Sequence, residues 1–246
     1  MSKRIAMVTG GIGGLGTAIC RALAAAGRTV IAVDLDSRAD RLAAFRTEVN
    51  GLDIHFAAAD VSDHASCGAL VRGIEDTHGS LAILVNNAGI TRDSTLRKMS
   101  RGQWDEVLDV NLGSAFNLCA HAIGPMQARG FGRVVNISSV SGQTGNFGQA
   151  NYAAAKAGLL GFSMSLAREV AGKGITVNSV SPGYIETAMT AAMPAEVLAR
   201  ICASIPAGRI GQPGDIARTV AFLSHDDAGY ITGANIPVNG GLFMAA

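Results

Sequence analysis

Short runs of apolar residues alternate with longer stretches of helical periodicity along the whole chain. The short runs are rich in Val, Ile and Ala and are apolar at consecutive positions. Strands of this composition are buried on both faces, which is typical of a parallel sheet covered by helical crossovers. The predicted strands are 4–9, 29–34, 54–60, 81–87, 132–139, 175–183 and 231–241.

The stretches between these strands predict helices that bring the chain back so that each next strand runs parallel to the last. The predicted helices are 14–27, 38–49, 64–78, 104–129, 152–171 and 213–223. No linker or repeat divides the chain, so we expect the α/β class, with residues 1–246 forming a single doubly wound domain that has helices on both faces of its sheet. The least regular segment, 184–212, contains a short amphipathic piece and is predicted to be a small substrate lid.

The composition narrows the class of function. With 48% apolar residues among 246, the chain can bury a large core. A formal charge of +1 and 5% aromatic residues provide neither a basic face nor a stacking platform, so nucleic acid is not expected as a partner. No apolar run has the length of a membrane span, and the first run is too short for a secretory signal. We therefore expect a soluble, cytoplasmic protein without a membrane partner.

Residues that could bind a metal ion do not have suitable spacing. The four cysteines are far apart, without a C-x-x-C pair, and are interpreted as reduced core residues. The five histidines show neither i,i+4 pairing nor a cysteine partner at the spacing of a metal site. We therefore expect no metal site.

The segment TGGIGGLG, at 9–16, lies between the first predicted strand and the first predicted helix. In this setting Gly10, Gly14 and Gly16 predict a nucleotide-binding turn, because glycines let the backbone approach a pyrophosphate at a helix N-terminus. Gly13 and Leu15 are expected to contact the cofactor as well. The alternative is a flexible turn without a ligand.

Asp34 ends the second predicted strand. A carboxylate there can accept hydrogen bonds from both hydroxyls of an adenosine ribose, and it repels a 2′-phosphate. The sequence therefore predicts NADH as the preferred cofactor, with NADPH as the second choice. Two cations argue the other way, since Arg38 or Arg41 could approach a 2′-phosphate. Asp34 could also simply mark the entry to a helix.

The segment NYAAAK, at 151–156, places one phenol and one cation four residues apart in a long neutral tract. A free phenol has a pKa of about 10, and ionising it near neutral pH requires roughly 4 kcal/mol of stabilisation of its anion. Lys156, one helical turn from Tyr152, can supply part of this stabilisation, and an oxidised nicotinamide can supply more. We therefore expect Tyr152 to exchange a proton with a carbonyl substrate.

The chain resembles the short-chain dehydrogenase/reductase family along its whole length. The motifs that carry the resemblance are the glycine loop, DV at 60–61, NNAG at 86–89, Asn111, ISS at 137–139, YAAAK at 152–156 and SPG at 181–183. They occur in the family's order and spacing. The resemblance implies a single Rossmann-type domain and a catalytic set of Asn111, Ser139, Tyr152 and Lys156, with Tyr152 as the proton donor.

The resemblance also implies a task for each of these residues. Ser139 would hydrogen-bond the substrate oxygen, Lys156 would bond the nicotinamide ribose, and Asn111 would hold a water that returns the proton through the lysine. Further cofactor contacts are implied, besides Tyr152 and Lys156, for Asp60, Val61, Asn87, Ala88, Gly89, Pro182, Gly183, Ile185 and Thr187.

Within the family, the segments NNAGITRD, GQTGNFGQ and NGGLFM are similar to those of the acetoacetyl-CoA reductases of polyhydroxybutyrate synthesis and, nearly as well, to those of 3-oxoacyl-carrier-protein reductases. This likeness implies reduction of a 3-oxoacyl thioester to the (R)-3-hydroxyacyl thioester, with an acyl-CoA or an acyl carrier protein as partner. The implied substrate contacts are Ser139, Phe147, Gln149 and Tyr184.

Two alternatives stay open on the sequence. A general NAD-dependent alcohol or sugar dehydrogenase would suit Asp34, whereas a non-enzymatic scaffold is disfavoured by the complete catalytic set. The predicted helix 152–171 is apolar or small on nearly every side, which indicates burial beyond one face of the sheet. Together with the family resemblance, this implies a homotetramer.

Overall fold

The structure, a computed structural model, describes residues 3–36, 39–186 and 194–244. Seven parallel strands form one sheet in the order β3-β2-β1-β4-β5-β6-β7. The strands are β1 (Ile5–Thr9), β2 (Thr29–Asp34), β3 (Ile54–Ala58), β4 (Leu81–Asn86), β5 (Gly132–Ile137), β6 (Ile175–Pro182) and β7 (Asn235–Val238).

Helices cover both faces of this sheet. Those in the described part of the chain are α1 (Gly14–Ala25), α2 (Ala39–Glu48), α3 (His64–His78), α4 (Arg101–Leu108), α5 (Ser114–Arg129), α6 (Ser141–Thr144), α7 (Ala150–Val170), α8 (Ala195–Ser204) and α9 (Pro213–Leu223). The doubly wound, Rossmann-type single domain predicted from the sequence is confirmed.

Consecutive residues of the central strands are buried on opposite faces of the sheet. In β1, Ala6 and Val8 pack with α1 and α9, whereas Ile5 and Met7 belong to the cluster formed with α3, α5 and α7. Burying both faces requires apolar residues at every position of the strand, which explains why the strands appear in the sequence as continuous apolar runs.

The order of the strands reverses between β1 and β4. From β1 the chain proceeds outward to β2 and β3, and then crosses to β4 on the other side of β1. The loops that follow β1 and β4 therefore diverge and leave a crevice at the carboxyl edge of the sheet. This is where open α/β sheets bind their ligands.

The structure differs from the predicted elements in a few places. The predicted helix 104–129 begins three residues earlier, because Ser100 and Gln103 form a capping box, and a π-helical turn at Asp109–Gly113 divides it. Helix α6 was not predicted, and β7 is much shorter than 231–241. The amphipathic piece of the expected lid is helical as α8, whereas 187–193 lie outside the described residues.

The described residues lack two further features. No helix among them combines the length and the apolar character needed to cross a bilayer. Within the same ranges, no three His, Cys, Asp or Glu side chains converge in a way that could hold a metal ion.

Helix α7 is tied to three strands by a buried polar network. Asn136 of β5 receives a hydrogen bond from Asn86 of β4 at 2.7 Å and donates one to Ser163 Oγ of α7, also at 2.7 Å. Ser179 of β6 donates to the same Ser163 oxygen at 2.8 Å, and the Ser163 hydroxyl donates to the Leu159 carbonyl. The hydroxyl of Ser163 thus uses its proton and both lone pairs.

We predict that Ser163→Ala destabilises the fold, because it leaves two buried donors, Asn136 Nδ2 and Ser179 Oγ, without their acceptor. The expected loss is about 2 kcal/mol in the free energy of unfolding by urea. Ser165→Ala is the matched control, since Ser165 is exposed on the same helix. Equal stabilities for the two variants would contradict this account of the network.

Candidate active site

The glycine loop after β1 is shaped by close approaches of the backbone. Gly10 has a φ of +61°, which side-chain-bearing residues rarely adopt, and a Cβ on Gly16 would lie 2.1 Å from the Gly10 carbonyl oxygen. A Cβ on Gly14, in contrast, would have no described atom within 4 Å. Gly13 caps α1 without a side-chain hydrogen bond. The first N–H groups of α1 therefore face an open surface where an anion can bind.

The loop after β4 holds the glycine loop in place. Asn87 Nδ2 donates to the carbonyls of Thr9 at 2.9 Å and Gly10 at 3.3 Å. The Thr9 hydroxyl oxygen accepts from the N–H groups of Asn87 and Ala88, both at 3.0 Å. Asn87, expected as a cofactor contact, therefore also joins the two sides of the crevice.

The acidic residues at the outer end of the crevice shape its backbone. Asp34 Oδ1, at the end of β2, accepts a hydrogen bond from the Leu35 N–H at 2.9 Å. Asp60 Oδ1 accepts from the N–H and hydroxyl of Ser62 at 2.9 Å and 2.6 Å, and Val61 is buried beside it. Both carboxylates are in the place expected from the sequence.

Arg41 lies across the glycine loop. Its guanidinium donates to the Ile12 carbonyl, to Thr17 Oγ1 at 2.9 Å and to Glu48 at 2.6 Å. Its charge is thus matched by a carboxylate of the same helix region. Arg38, the other cation considered from the sequence, lies outside the described residues.

The catalytic candidates meet where β5 and α7 come together. The Ser138 hydroxyl donates to the Lys156 carbonyl at 2.8 Å, so it is engaged in holding the helix. Ser139, the next residue, lowers the pKa of the Tyr152 phenol, so it lies beside that hydroxyl. Lys156 is 3% exposed, its Nζ donates to the Ile137 carbonyl at 2.8 Å, and it lies 5.6 Å from the centre of the Tyr152 ring. Three of the four expected residues thus form one group.

Burial affects the titration of this group more than charge does. It raises the pKa of the Tyr152 phenol, with a smaller opposing effect from the Ser139 hydrogen bond and a further increase from the Asp93 carboxylate. It lowers the pKa of Lys156 to about 8. The sequence led us to expect a phenol acidified by Lys156, whereas the protein itself makes the phenol less acidic, because the loss of solvation outweighs the opposing effect of Ser139.

Asn111, the fourth candidate, occupies the π-helical turn. Its Nδ2 donates to the carbonyls of Ile90 and Val107, both at 2.9 Å, whereas its Oδ1 is buried without a partner among the described residues. A Cβ on Gly89 would lie 2.6 Å from this Oδ1 and 3.5 Å from Lys156 Nζ. The unsatisfied acceptor and the lysine therefore border the same small space, and the four candidates are brought together.

Comparisons with known proteins agree with this geometry. A family model described as "Enoyl-(Acyl carrier protein) reductase" matches residues 10–243. An acetoacetyl-CoA reductase of Allochromatium vinosum is 53% identical over 98% of this chain and 99% of its own. The chain belongs to the short-chain dehydrogenase/reductase family. It is an oxidoreductase, as the sequence predicted, and its family implies a nicotinamide cofactor.

Two further relatives extend the comparison. An acetoacetyl-CoA reductase of Cupriavidus necator is 49% identical over 99% of this chain and 100% of its own. A 3-oxoacyl-[acyl-carrier-protein] reductase, FabG, of Escherichia coli is 46% identical over 98% of both chains. The similarity to both kinds of reductase agrees with the two substrate classes considered from the sequence.

The remaining cofactor candidates of this family member follow β6. A Cβ on Gly183 would lie 2.8 Å from Asn239 Cβ, so the loop after β6 touches the loop after β7. Pro182 ends β6 and is buried, and Ile185 pairs with Gly211 in an isolated β-bridge. Thr187 lies outside the described residues.

The candidate substrate contacts have different surroundings. Tyr184 lines a cavity of about 280 Å³ together with Arg209, Asp215 and Asn239. Phe147 is 89% exposed on the loop before α7. The carboxamide of Gln149 is hydrogen bonded to Asp93, Ser141 and Asn146.

The sequence did not single out Asp93 and Ser141, which contact the site. Asp93 acts on Tyr152 through its charge, and the Ser141 N–H donates to Ser139 Oγ at 3.1 Å. Their residue types give no signal of this role, because it depends on the folding of separate loops against each other. The only hints were the quoted segments NNAGITRD, which ends at Asp93, and GQTGNFGQ, which begins one residue after Ser141.

We predict a stability profile that depends on the burial of Lys156. The native protein gives up this proton near pH 8, against a pKa of 10.5 in the unfolded chain, so the unfolded chain binds more protons between these values. The free energy of unfolding should therefore rise with pH across this window, by an amount on the order of 3 kcal/mol, relative to Lys156→Met. Urea denaturation at a series of pH values measures the difference.

Below pH 8 the penalty for burying the charge is fully present, so Lys156→Met should show its largest relative gain there. Lys173→Met serves as the control, because Lys173 is exposed. Parallel profiles for Lys156→Met and the unaltered protein would show that burial does not affect the charge of this lysine.

Proposed function

We propose that this enzyme reduces the 3-oxo group of acetoacetyl-CoA to the (R)-3-hydroxyacyl thioester, with Tyr152 as the proton donor. The observation that carries the proposal is the grouping of Ser139, Tyr152 and Lys156 beside the crevice that follows β1 and β4. The names of relatives that are similar over their full length support the choice of a thioester substrate.

The residues of the crevice fit a nicotinamide dinucleotide. The open N-terminus of α1 suits a pyrophosphate, and the Asp34 carboxylate at the end of β2 suits a ribose with two hydroxyls. Arg41 is paired with Glu48 and bound to the loop, so a 2′-phosphate would have to compete for it. These contacts support NADH as the preferred cofactor, with NADPH as the weaker one. When bound, the cofactor supplies the hydride.

The side chains divide the remaining work. Ser139 donates a hydrogen bond to the carbonyl oxygen, and Tyr152 gives that oxygen its proton. Lys156 lowers the cost of the resulting phenolate, because its Nζ lies 5.6 Å from the centre of the ring. Asn111 holds a water that returns the proton by way of the lysine; its buried, unsatisfied Oδ1 supports this role. Phe147 and Tyr184 are the remaining candidates for direct contact with the acyl thioester, since the carboxamide of Gln149 is engaged by Asp93, Ser141 and Asn146.

Two other substrates are retained as alternatives. The similarity to FabG favours a 3-oxoacyl carrier protein, and Asp34 favours an NAD-dependent alcohol or sugar dehydrogenase.

We also place the enzyme in the cytoplasm, because its four cysteines are free thiols.

We predict that a matrix of two cofactors and four substrates will identify the reaction. Oxidation of NADH with acetoacetyl-CoA should be the fastest combination, ahead of acetoacetyl carrier protein and simple ketones with NADH and ahead of polyols with NAD⁺. Asp34→Ala should weaken the preference for NADH by at least about tenfold, because it removes the partner of the ribose hydroxyls. Spectrophotometric initial rates measure both effects.

Tyr152→Phe is the control, since it removes the proton donor and should abolish reduction in every column of the matrix. A preference of the unaltered enzyme for NADPH would refute the interpretation of Asp34. If no thioester were reduced, the proposed substrate class would be wrong.

We also predict that four chains assemble. Met164 on α7 and Phe116 on α5 are 52% and 56% exposed in the single chain, which leaves large apolar side chains in water. Sedimentation should give a particle of four 25.1 kDa chains, and Met164→Glu should lower its association constant by at least about a hundredfold. Leu52→Glu, at an exposed apolar residue between α2 and β3, should leave assembly unchanged. A monomeric unaltered protein would refute the assembly.

A further inference from the structure

A continuous run of hydrogen bonds leads from Asp93 on the surface to Ser139 in the site. Asp93 Oδ2 accepts from Gln149 Nε2 at 3.0 Å, and Gln149 Oε1 accepts from Ser141 Oγ at 3.2 Å. The Ser141 N–H donates to Ser139 Oγ at 3.1 Å. Ser139 in turn lowers the pKa of the Tyr152 phenol, so it lies beside that hydroxyl. The run therefore leads from the carboxylate of one loop to the serine beside the candidate phenol.

The direction of each bond is set by the chemistry of its partners. An ionised carboxylate has no proton to give, so Gln149 must present its NH₂ group to Asp93. Its Oε1 then faces the other way, where both of its partners are donors, the Ser141 hydroxyl and Asn146 Nδ2 at 3.0 Å. Asp93 thus selects one of the two orientations of the carboxamide.

The bond from the Ser141 N–H limits the direction in which the Ser139 hydroxyl can donate. A serine hydroxyl has one proton and two lone pairs, and the Ser141 N–H occupies one of those lone pairs. The proton of Ser139 is then directed away from Ser141, toward the acceptor on its other side. This is the direction in which Ser139 must donate if it is to stabilise an oxygen that gains negative charge.

The two loops are fixed against each other by bonds to the backbone. The Ser94 N–H donates to the Gly148 carbonyl at 2.8 Å, and Asn151 Nδ2 donates to the Arg92 carbonyl at 3.2 Å. Ser141 is buried, so its hydroxyl is shielded from solvent. The run is therefore held at both ends by the fold, which is the condition for a lasting effect on Ser139.

We propose that Gln149 is a positioning residue for Ser139: oriented by Asp93, it fixes Ser141 and, through the Ser141 N–H, the direction of the Ser139 hydroxyl. Gln149 thus acts on the substrate indirectly. The inference rests on the proposed function, because that function gives Ser139 the substrate oxygen.

Exchanging the carboxylate of Asp93 and the carboxamide of Gln149 tests the run of hydrogen bonds. Gln149→Glu sets two carboxylates against each other and should lower kcat for acetoacetyl-CoA about tenfold, with KM changed less than about twofold. Adding Asp93→Asn restores a donor opposite the new carboxylate, which can still accept from Ser141. This double variant should recover kcat to within about threefold of the unaltered enzyme. No recovery would overturn the proposal.

A double-mutant cycle separates positioning from direct contact. On the background of Ser139→Ala, the change Gln149→Leu should alter the residual kcat by less than about twofold, because its effect passes through Ser139. If the losses in kcat of the two single variants multiply in the double variant, and KM is raised, Gln149 contacts the acyl chain itself. That result would overturn the proposal. Thr144→Val, on the same loop but with its hydroxyl bonded to Val140 and Gly145, is the control.

A readout without substrate distinguishes failure of the inference from failure of the proposed function. Ultraviolet titration of the phenols, with Tyr152→Phe as the reference, should show the pKa of Tyr152 raised further by Gln149→Leu, by about half a unit or more, because the donor Ser139 is misdirected. The charged groups that act on this phenol, Asp93 and Lys156, are unchanged in that variant. An unshifted titration would overturn the inference even if the unaltered enzyme reduced thioesters. A shift without thioester reduction would support the inference and refute the proposed substrate.

Discussion

The position of helix α7 on strand β5 is the constraint on which the rest of the site depends. Lys156 Nζ donates a hydrogen bond to the Ile137 carbonyl, and the Ser138 hydroxyl donates one to the Lys156 carbonyl, both at 2.8 Å. Two turns further along the helix, Ser163 receives its bond from Asn136 of the same strand. These bonds are buried, where breaking one is costly. They determine the distance between Tyr152 on α7 and Ser139, which follows β5.

The position of α7 also requires helix α6 of the same chain to approach it closely. A Cβ on Gly142 in α6 would lie 2.8 Å from the Lys156 carbonyl carbon, so α6 can pack on α7 only if this position carries no side chain. Because α6 begins two residues after Ser139, its packing fixes the turn that carries Ser139 and Ser141. The geometry of the site thus follows from contacts of α7 on two sides.

Burial affects both titratable groups of the site in the same sense. It lowers the pKa of Lys156 to about 8 and raises that of Tyr152, so each neutral form is favoured. A neutral phenol is the form that can give a proton, which suits reduction of a carbonyl. In the proposed reaction, the charge of Lys156 is needed mainly after the proton has left, when the phenolate remains in a poorly solvated place.

The sequence predicted the parts of the site that depend on local order. Continuous apolar runs identified the strands, and the glycine loop, Ser139, Tyr152 and Lys156 lie where their motifs indicated. It did not predict the contacts of Arg41 with Ile12 or of Asp93 with Gln149, which join positions 29 and 56 residues apart. Such pairs depend on how loops pack, and no periodicity reveals them. The direction of the Tyr152 pKa was missed for a related reason, since its desolvation depends on the whole surrounding fold.

The π-helical turn and Gly89 together form a small space beside Lys156, which the sequence motifs alone do not reveal. The turn places Asn111 so that its two N–H bonds go to backbone carbonyls and its Oδ1 faces Lys156 across the space beside Gly89. Lys156 has three N–H bonds and gives one to Ile137. A buried water requires at least two polar partners, and this space offers both an acceptor and a donor. A side chain at position 89 would fill this space, so the glycine of NNAG preserves room for the water that the proposed return of the proton requires.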